Sequence, residues 1–279
     1  MSADLRRALL GEAAGTFLLV AVGTGTVASS VLLGAPAGLP AVAALWGVAV
    51  AAAIVLSGRL SGAHLNPAVS LALAVWRPSA LPRARLLPYA TAQLAGAALA
   101  GAAVLLLFGG ALGAFEAREG LVRGAPGSER SAMVFGEYFP NPAMHGTGPA
   151  AEALVGPGAA LLHEALGTAG LVLLVFAVSD PDRRLPLPLV ALLVGAGLAG
   201  LIVLVAPSTQ AGLNPARDLG PRIVAWAAGW GPVAIPGPRW GFLVYLAGPL
   251  LGGLAGGGLY ERAIRRRAAP SAGEGAISG

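Results

Sequence analysis

The chain has 279 residues, 56% of them hydrophobic and only 11% charged, with a formal net charge of +5 and no cysteine. A soluble domain is about 25% charged, so the balance argues against a water-soluble enzyme. The absence of cysteine removes disulfides, thiolate metal sites and cysteine nucleophiles. All 18 basic residues are arginine. They fall in short clusters between apolar runs without interleaved aromatics, which speaks against a nucleic-acid partner.

In chain order, Met1-Ser2-Ala3-Asp4-Leu5-Arg6-Arg7 leads into an apolar stretch too long for a signal-peptide core and reads as a retained first span. Residues 13–58, 60–76, 86–115, 185–216 and 240–260 carry no Asp, Glu, Lys or Arg. Crossing the hydrocarbon takes about 20 apolar residues. Full spans are therefore predicted near 8–31, 40–58, 84–108, 158–179, 186–206 and 240–261, with Gly34 to Pro40 breaking the first stretch into two. Apolar pieces near 67–76 and 215–227 are too short to cross, because about 10 helical residues rise roughly 15 Å, half the thickness. They are predicted to be re-entrant. Gly248, Gly252 and Gly256 on the sixth span permit close helix approach.

The chain also repeats itself. Leu9-Leu10-Gly11-Glu12-Ala13-Ala14-Gly15-Thr16 recurs as Leu161-Leu162-His163-Glu164-Ala165-Leu166-Gly167-Thr168. Each copy is followed by the same tetrapeptide, Leu65-Asn66-Pro67-Ala68 and then Leu213-Asn214-Pro215-Ala216. Each half holds an odd number of spans, so the second half enters from the opposite side and the repeat is inverted. The predicted fold is an all-α membrane protein of six transmembrane helices and two re-entrant half-helices. It forms one domain over 1–279: a first repeat at about 8–108, an external loop at about 109–157, a second repeat at about 158–262 and a tail at 263–279. Arg6, Arg7, Arg77, Arg83, Arg85, Arg183, Arg184, Arg262, Arg265, Arg266 and Arg267 share one side, which the positive-inside bias makes cytoplasmic, both termini included. A polybasic Arg265-Arg266-Arg267 can also attract anionic lipid.

Asn is a strong N-cap and Pro is favoured at the first helical position, so each Asn-Pro-Ala starts a helix. The two half-helices enter from opposite faces, and their positive dipole ends meet near the midplane. If each Asn oxygen caps its own helix, both amide NH₂ groups are left to donate to a passing hydroxyl. A cation meets positive potential there. The non-helical backbone before each motif is tolerable at this depth only where it lines a wet path. Asn141-Pro142-Ala143 is a third copy. It lies in the charged external connection with no upstream repeat and is assigned to a loop without a pore role.

Ser61-Gly62-Ala63-His64-Leu65-Asn66-Pro67-Ala68-Val69 and Asn214-Pro215-Ala216-Arg217-Asp218 resemble the two signature loops of the aquaporin superfamily, also called major intrinsic proteins. Asp218, Gly220-Pro221-Arg222 and Tyr138-Phe139-Pro140-Asn141-Pro142 are similar to its glycerol-facilitator branch. The resemblance implies a right-handed bundle with one pore per subunit and four subunits per assembly. It also implies a selectivity filter of Trp46, Ile202, Ala211 and Arg217, a set closer to the nodulin-like branch, and pore-lining backbone at Gly62, Ala63, His64, Gln210 and Gly212. Glu12 and Glu164, by the same resemblance, are buried carboxylates that accept N–H bonds from the re-entrant loops rather than a proton relay. Asp218 is read as structural support near a helix dipole. Tyr245-Leu246 departs from the Pro-aliphatic pair usual in glycerol facilitators.

The expected function is a passive channel for small neutral solutes, glycerol first, with urea or metalloid hydroxides such as arsenite and water also permeant. It needs no metal and no cofactor and excludes protons and ions; a water-selective channel is the alternative. A secondary transporter would share the inverted repeat, but coupling carboxylates other than Glu12 and Glu164 are missing. An intramembrane hydrolase would need a Ser-His, paired-Asp or metal-ligand set at depth, and three scattered histidines supply none.

Overall fold

The computed structural model describes residues 2–265, so the predicted tail from 266 on, Arg266 and Arg267 included, lies outside the described residues. Every regular element in that range is helical: α1 (Ala3–Leu33), α2 (Leu39–Ser61), α3 (Pro67–Trp76), α4 (Leu86–Glu119), α5 (Glu129–Ala132), α6 (Pro142–His145), α7 (Pro149–Glu152), α8 (Pro157–Val178), α9 (Leu187–Thr209), α10 (Pro215–Ala225) and α11 (Gly241–Leu259), with short 3-10 and π turns between and after them. Helices α1, α2, α4, α8, α9 and α11 are the six long and apolar enough to cross a membrane. The half-helices are α3 and α10.

Local chemistry sets the ends. The Ser2 hydroxyl accepts from the Leu5 N–H at 3.2 Å and caps α1. Gly34 closes it in the left-handed region at φ 77°, where a Cβ would be strained. Helix α4 differs from expectation. It runs on past the predicted end at 108 to Glu119, so the loop-face connection is shorter than 109–157. Gly109, Gly110 and Gly113 look like breakers in sequence, but a helix-interior glycine costs only about 1 kcal/mol. The charge beyond them is accommodated too, because Glu116 pairs with Arg123 at 2.8 Å and accepts from the Ser131 hydroxyl at 2.8 Å.

Packing follows the repeat. Helix α2 crosses α9 at Gly47 and Gly195, where a Cβ on either would run into the other's carbonyl oxygen. These two glycines have the same separation in sequence as Asn66 and Asn214. A second symmetric pair holds the outer helices, with Gly96 of α4 seated on Ala13 of α1 and Gly252 of α11 seated on Ala165 of α8. Gly256 repeats the contact one turn on, against Ala169. The glycine spacing on the sixth span is therefore a packing device.

Two faces result. On the Arg-rich face, Arg77 at the end of α3 is buried rather than solvated. It lies 4.3 Å over the Phe176 ring, donates to the Phe176 carbonyl at 3.0 Å and pairs with Glu261. It therefore ties α3 to α8 and to the end of α11. On the opposite, loop face the connection folds back over the bundle. The Tyr138 hydroxyl donates to the Val233 carbonyl at 2.9 Å, and the Asn141 amide donates to the Ala206 carbonyl at 3.0 Å. Asn141 caps the one-turn helix α6 and stands in the wall of the central cavity. The third Asn-Pro-Ala therefore has a place at the channel mouth, contrary to the sequence expectation, because the loop that carries it is packed onto α9.

Candidate channel and filter

The two half-helices meet tip to tip. Asn66 Oδ1 accepts from the Ala68 N–H at 2.8 Å, and Asn214 Oδ1 accepts from Ala216 at 3.0 Å and Arg217 at 3.3 Å, so each asparagine caps its own helix. Pro67 and Pro215 occupy the first helical positions, where no N–H is required. The amide nitrogens are only partly free. Asn66 Nδ2 donates to the Leu213 carbonyl at 2.9 Å and Asn214 Nδ2 to the Leu65 carbonyl at 2.8 Å. One hydrogen of each amide thus ties one loop to the other, and one remains for a solute, which corrects the expectation that the whole NH₂ group is free.

Two buried carboxylates shape the loops before those tips. Glu12 accepts from the His64 N–H at 3.0 Å, the Leu65 N–H at 2.8 Å and the Gln93 amide at 2.7 Å. Glu164 accepts from the Thr209 hydroxyl at 2.6 Å and from the Gly212 and Leu213 N–H groups at 2.9 and 2.7 Å. Most of their acceptor capacity goes to loop N–H groups and the Thr209 hydroxyl, buried donors that need a partner at this depth. Both loops hold non-glycine residues in the left-handed region: Ala63 and Leu65 in the first, Gln210, Ala211 and Leu213 in the second. The carboxylates fix that unusual path. Two tyrosines anchor the same loops from outside, the Tyr89 hydroxyl on the Ser61 carbonyl at 3.1 Å and the Tyr245 hydroxyl on the Thr209 carbonyl at 3.0 Å. Tyr245, the departure noted in sequence, therefore has a loop-holding contact.

One cavity of about 840 Å³ runs from Arg77 and Ser179 on the Arg-rich face, past Asn66 and Asn214, to Asn141 and Met144 on the loop face. Gly62, Ala63, His64, Gln210 and Gly212 all lie in its wall. The His64 ring is held at the side, with Nδ1 3.2 Å from the Ser70 hydroxyl and the Tyr89 ring 5.1 Å away. Val50, Ile54, Leu171, Val194 and Leu198 form the apolar part of the wall. The lumen is thus amphipathic along its length, with alkyl side chains from the spans and backbone and amide groups from the loops.

Toward the loop face, Trp46, Ile202, Ala211 and Arg217 come together in that wall, each buried. The Arg217 guanidinium sits 4.5 Å over the Trp46 ring, a cation–π contact that orients both. Nη1 of Arg217 donates to the Phe135 carbonyl at 3.3 Å. The Trp46 ring is placed by Gly23 of α1, since a Cβ at that position would overlap the ring. Replacing Gly23 with Val is therefore expected to push the indole into the lumen. Glycerol flux in reconstituted vesicles should fall at least tenfold for an obstruction worth about 1.4 kcal/mol or more; unchanged flux would mean that the ring has room elsewhere.

The Major intrinsic protein family profile matches residues 1–260. The chain belongs to the major intrinsic protein family. It is 41% identical over 260 residues to a glycerol uptake facilitator protein of Pseudomonas aeruginosa, covering 92% of this chain and 88% of that protein. It is 37% identical over 268 residues to the glycerol uptake facilitator protein of Escherichia coli, covering 95% of this chain and 90% of that protein, and 34% identical over 267 residues to a propanediol uptake facilitator of Citrobacter freundii, covering 95% of this chain and 94% of that protein. Among solved structures it is similar to the aquaglyceroporin from Plasmodium falciparum, with a TM-score of 0.80 at 25% identity over 94% of this chain and 98% of the other. Members of this family are channels and not enzymes, and this chain is a multi-pass membrane protein.

Several contributors escape a reading by sequence. Gly23, Tyr89 and Gln93 stand in apolar runs and look like ordinary helix residues. Glu137 looks like one more charge in a polar loop, yet it is buried against Arg217. Asp218 has a structural place, accepting from the Glu137 N–H at 2.7 Å and pairing with Arg222 at 2.7 Å.

Proposed function

We propose that the chain is a passive channel for glycerol and small polyols of similar size, with water as a secondary permeant and urea and neutral arsenite passing on the same grounds. The observation that carries this reading is the filter: an indole face and Ile202 offer apolar contact to a CH backbone, Arg217 donates to the hydroxyl side, and Ala211 leaves one wall open. The uptake facilitators for glycerol and propanediol among its relatives support the same substrate class. The helix N-termini at Asn66 and Asn214 oppose cations by their dipoles. Glu12 and Glu164 are occupied by loop donors, which supports scaffold roles over proton coupling. In vesicles, glycerol influx is expected to rise linearly with concentration and to ignore imposed proton and sodium gradients. Saturation, or stimulation by either gradient, would make it a secondary transporter.

The membrane orientation belongs to the same proposal, with the Arg-rich face and both termini cytoplasmic and four copies assembled side by side. Because the chain has no native cysteine, one introduced at Ser2 reports a single position. It is expected to resist an impermeant thiol reagent in intact cells and to react after permeabilisation. Labelling of intact cells would invert the topology.

A further inference from the structure

Glu137 lies in the loop-face connection, yet it is 1% exposed and lines the same cavity as Trp46 and Arg217. Its Oε1 is ion-paired with Nη2 of Arg217. Neither carboxylate oxygen receives a well-directed hydrogen bond from the protein. Its main chain is pinned on both sides: the N–H donates to Asp218 Oδ1 at 2.7 Å, and the carbonyl accepts from Arg222 Nη2, which belongs to the buried Asp218–Arg222 pair. Gly136 before it has no room for a Cβ, because the Arg222 side chain lies there. A carboxylate buried and held this firmly needs a charge partner. Arg217 is the cation in contact with it.

We propose that Glu137 is a fifth filter residue, a fixed counter-ion that orients Arg217 and cancels its charge. The filter then offers hydrogen-bond donors to neutral solutes without drawing anions into the mouth. The inference rests on the reading of Arg217 as a filter residue. Its consequence is that removing Arg217 uncovers an acid, so the leak in such a variant depends on Glu137. Around that carboxylate stand Arg217, Asp218 and Arg222 from α10, Glu164 from α8, Tyr245 from α11 and the neighbouring Tyr138. Burial raises the Glu137 carboxyl, and the Arg217 guanidinium beside it pulls it back down. Without the arginine it ionises only in more alkaline solution, so the leak should grow as pH rises.

The test compares potassium flux in proteoliposomes at about pH 6 and about pH 10, either side of the shifted ionisation. Arg217→Val should leak potassium at the alkaline pH. Adding Glu137→Gln should suppress that leak at least tenfold, for a charge effect of about 1.4 kcal/mol or more, whereas adding Glu137→Asp should keep it. An equal leak with and without Glu137→Gln, or no alkaline leak in Arg217→Val, overturns the proposal. If the arginine variants fail to reconstitute, Glu137→Gln alone decides. It leaves Arg217 uncompensated, so nitrate flux should rise clearly above wild type, and unchanged nitrate flux overturns the proposal. Wild-type glycerol flux in the same vesicles tests the channel reading separately: its absence would overturn that reading and the filter role of Arg217 with it, whereas glycerol flux with an equal leak in the single and double variants overturns only the role given to Glu137.

Discussion

Glu164→Leu is expected to abolish both glycerol and water flux while leaving the six long helices in place. Glu164 is fully buried and accepts from Thr209, Gly212 and Leu213. Leucine fills a similar volume but accepts nothing, and the Glu164 site is closed off from solvent and from the cavity wall, so no water stands ready to replace the lost partner. Each buried donor left unpaired costs about 1–3 kcal/mol, so three of them exceed what the left-handed path through Gln210, Ala211 and Leu213 can bear. The second loop is expected to relax into the lumen, carrying Ala211 and the base of Asn214 with it. Glu164→Gln keeps one acceptor oxygen and should retain intermediate flux. Rates normalised to reconstituted protein, with helix content from circular dichroism, check both variants. Full flux in Glu164→Leu would show that the loop holds itself.

The second large effect concerns selectivity. Ile202→His should reduce glycerol flux about tenfold or more while changing water flux much less. The isoleucine gives the solute's CH face a buried apolar contact, and losing such a contact costs about 1.5–3 kcal/mol, whereas a water molecule has no CH face to lose. Imidazole also projects a polar edge opposite Arg217, which suits a small hydrogen-bonding solute. Ala211→Phe should narrow the fourth wall, and the largest solutes should slow first. Stopped-flow light scattering with glycerol, urea and water reads both. A variant in which all solutes slow equally would indicate general obstruction.

Much of this architecture is legible in the sequence because its elements carry local chemistry. Asn66-Pro67 and Asn214-Pro215 are helix starts whatever surrounds them, and the repeated Glu12 and Glu164 mark the inversion. What the sequence hides is set by tertiary approach. Glu137 sits among charged loop residues, where solvation is the default reading, and only the folding of that loop onto α10 buries it. Gly23 resembles any glycine of an Ala/Gly-rich helix until the Trp46 ring is seen lying against it. The extension of α4 to Glu119 depends on Arg123 and Ser131, which reach Glu116 from outside the helix. Asn141 reaches the channel mouth for the same kind of reason, through Ala206 on a different helix.

The central claim is that an amphipathic, uncharged-solute path crosses this protein wide enough for a polyol. Its most direct measurement is stopped-flow swelling of proteoliposomes under inward gradients of glycerol, urea and neutral arsenite, beside water efflux from the same preparation. The predicted result is glycerol permeability well above that of protein-free vesicles, rising linearly with concentration, with water also conducted. Conduction of water with exclusion of glycerol, urea and arsenite alike would contradict the filter of Trp46, Ile202, Ala211 and Arg217 and leave a water-selective channel in its place.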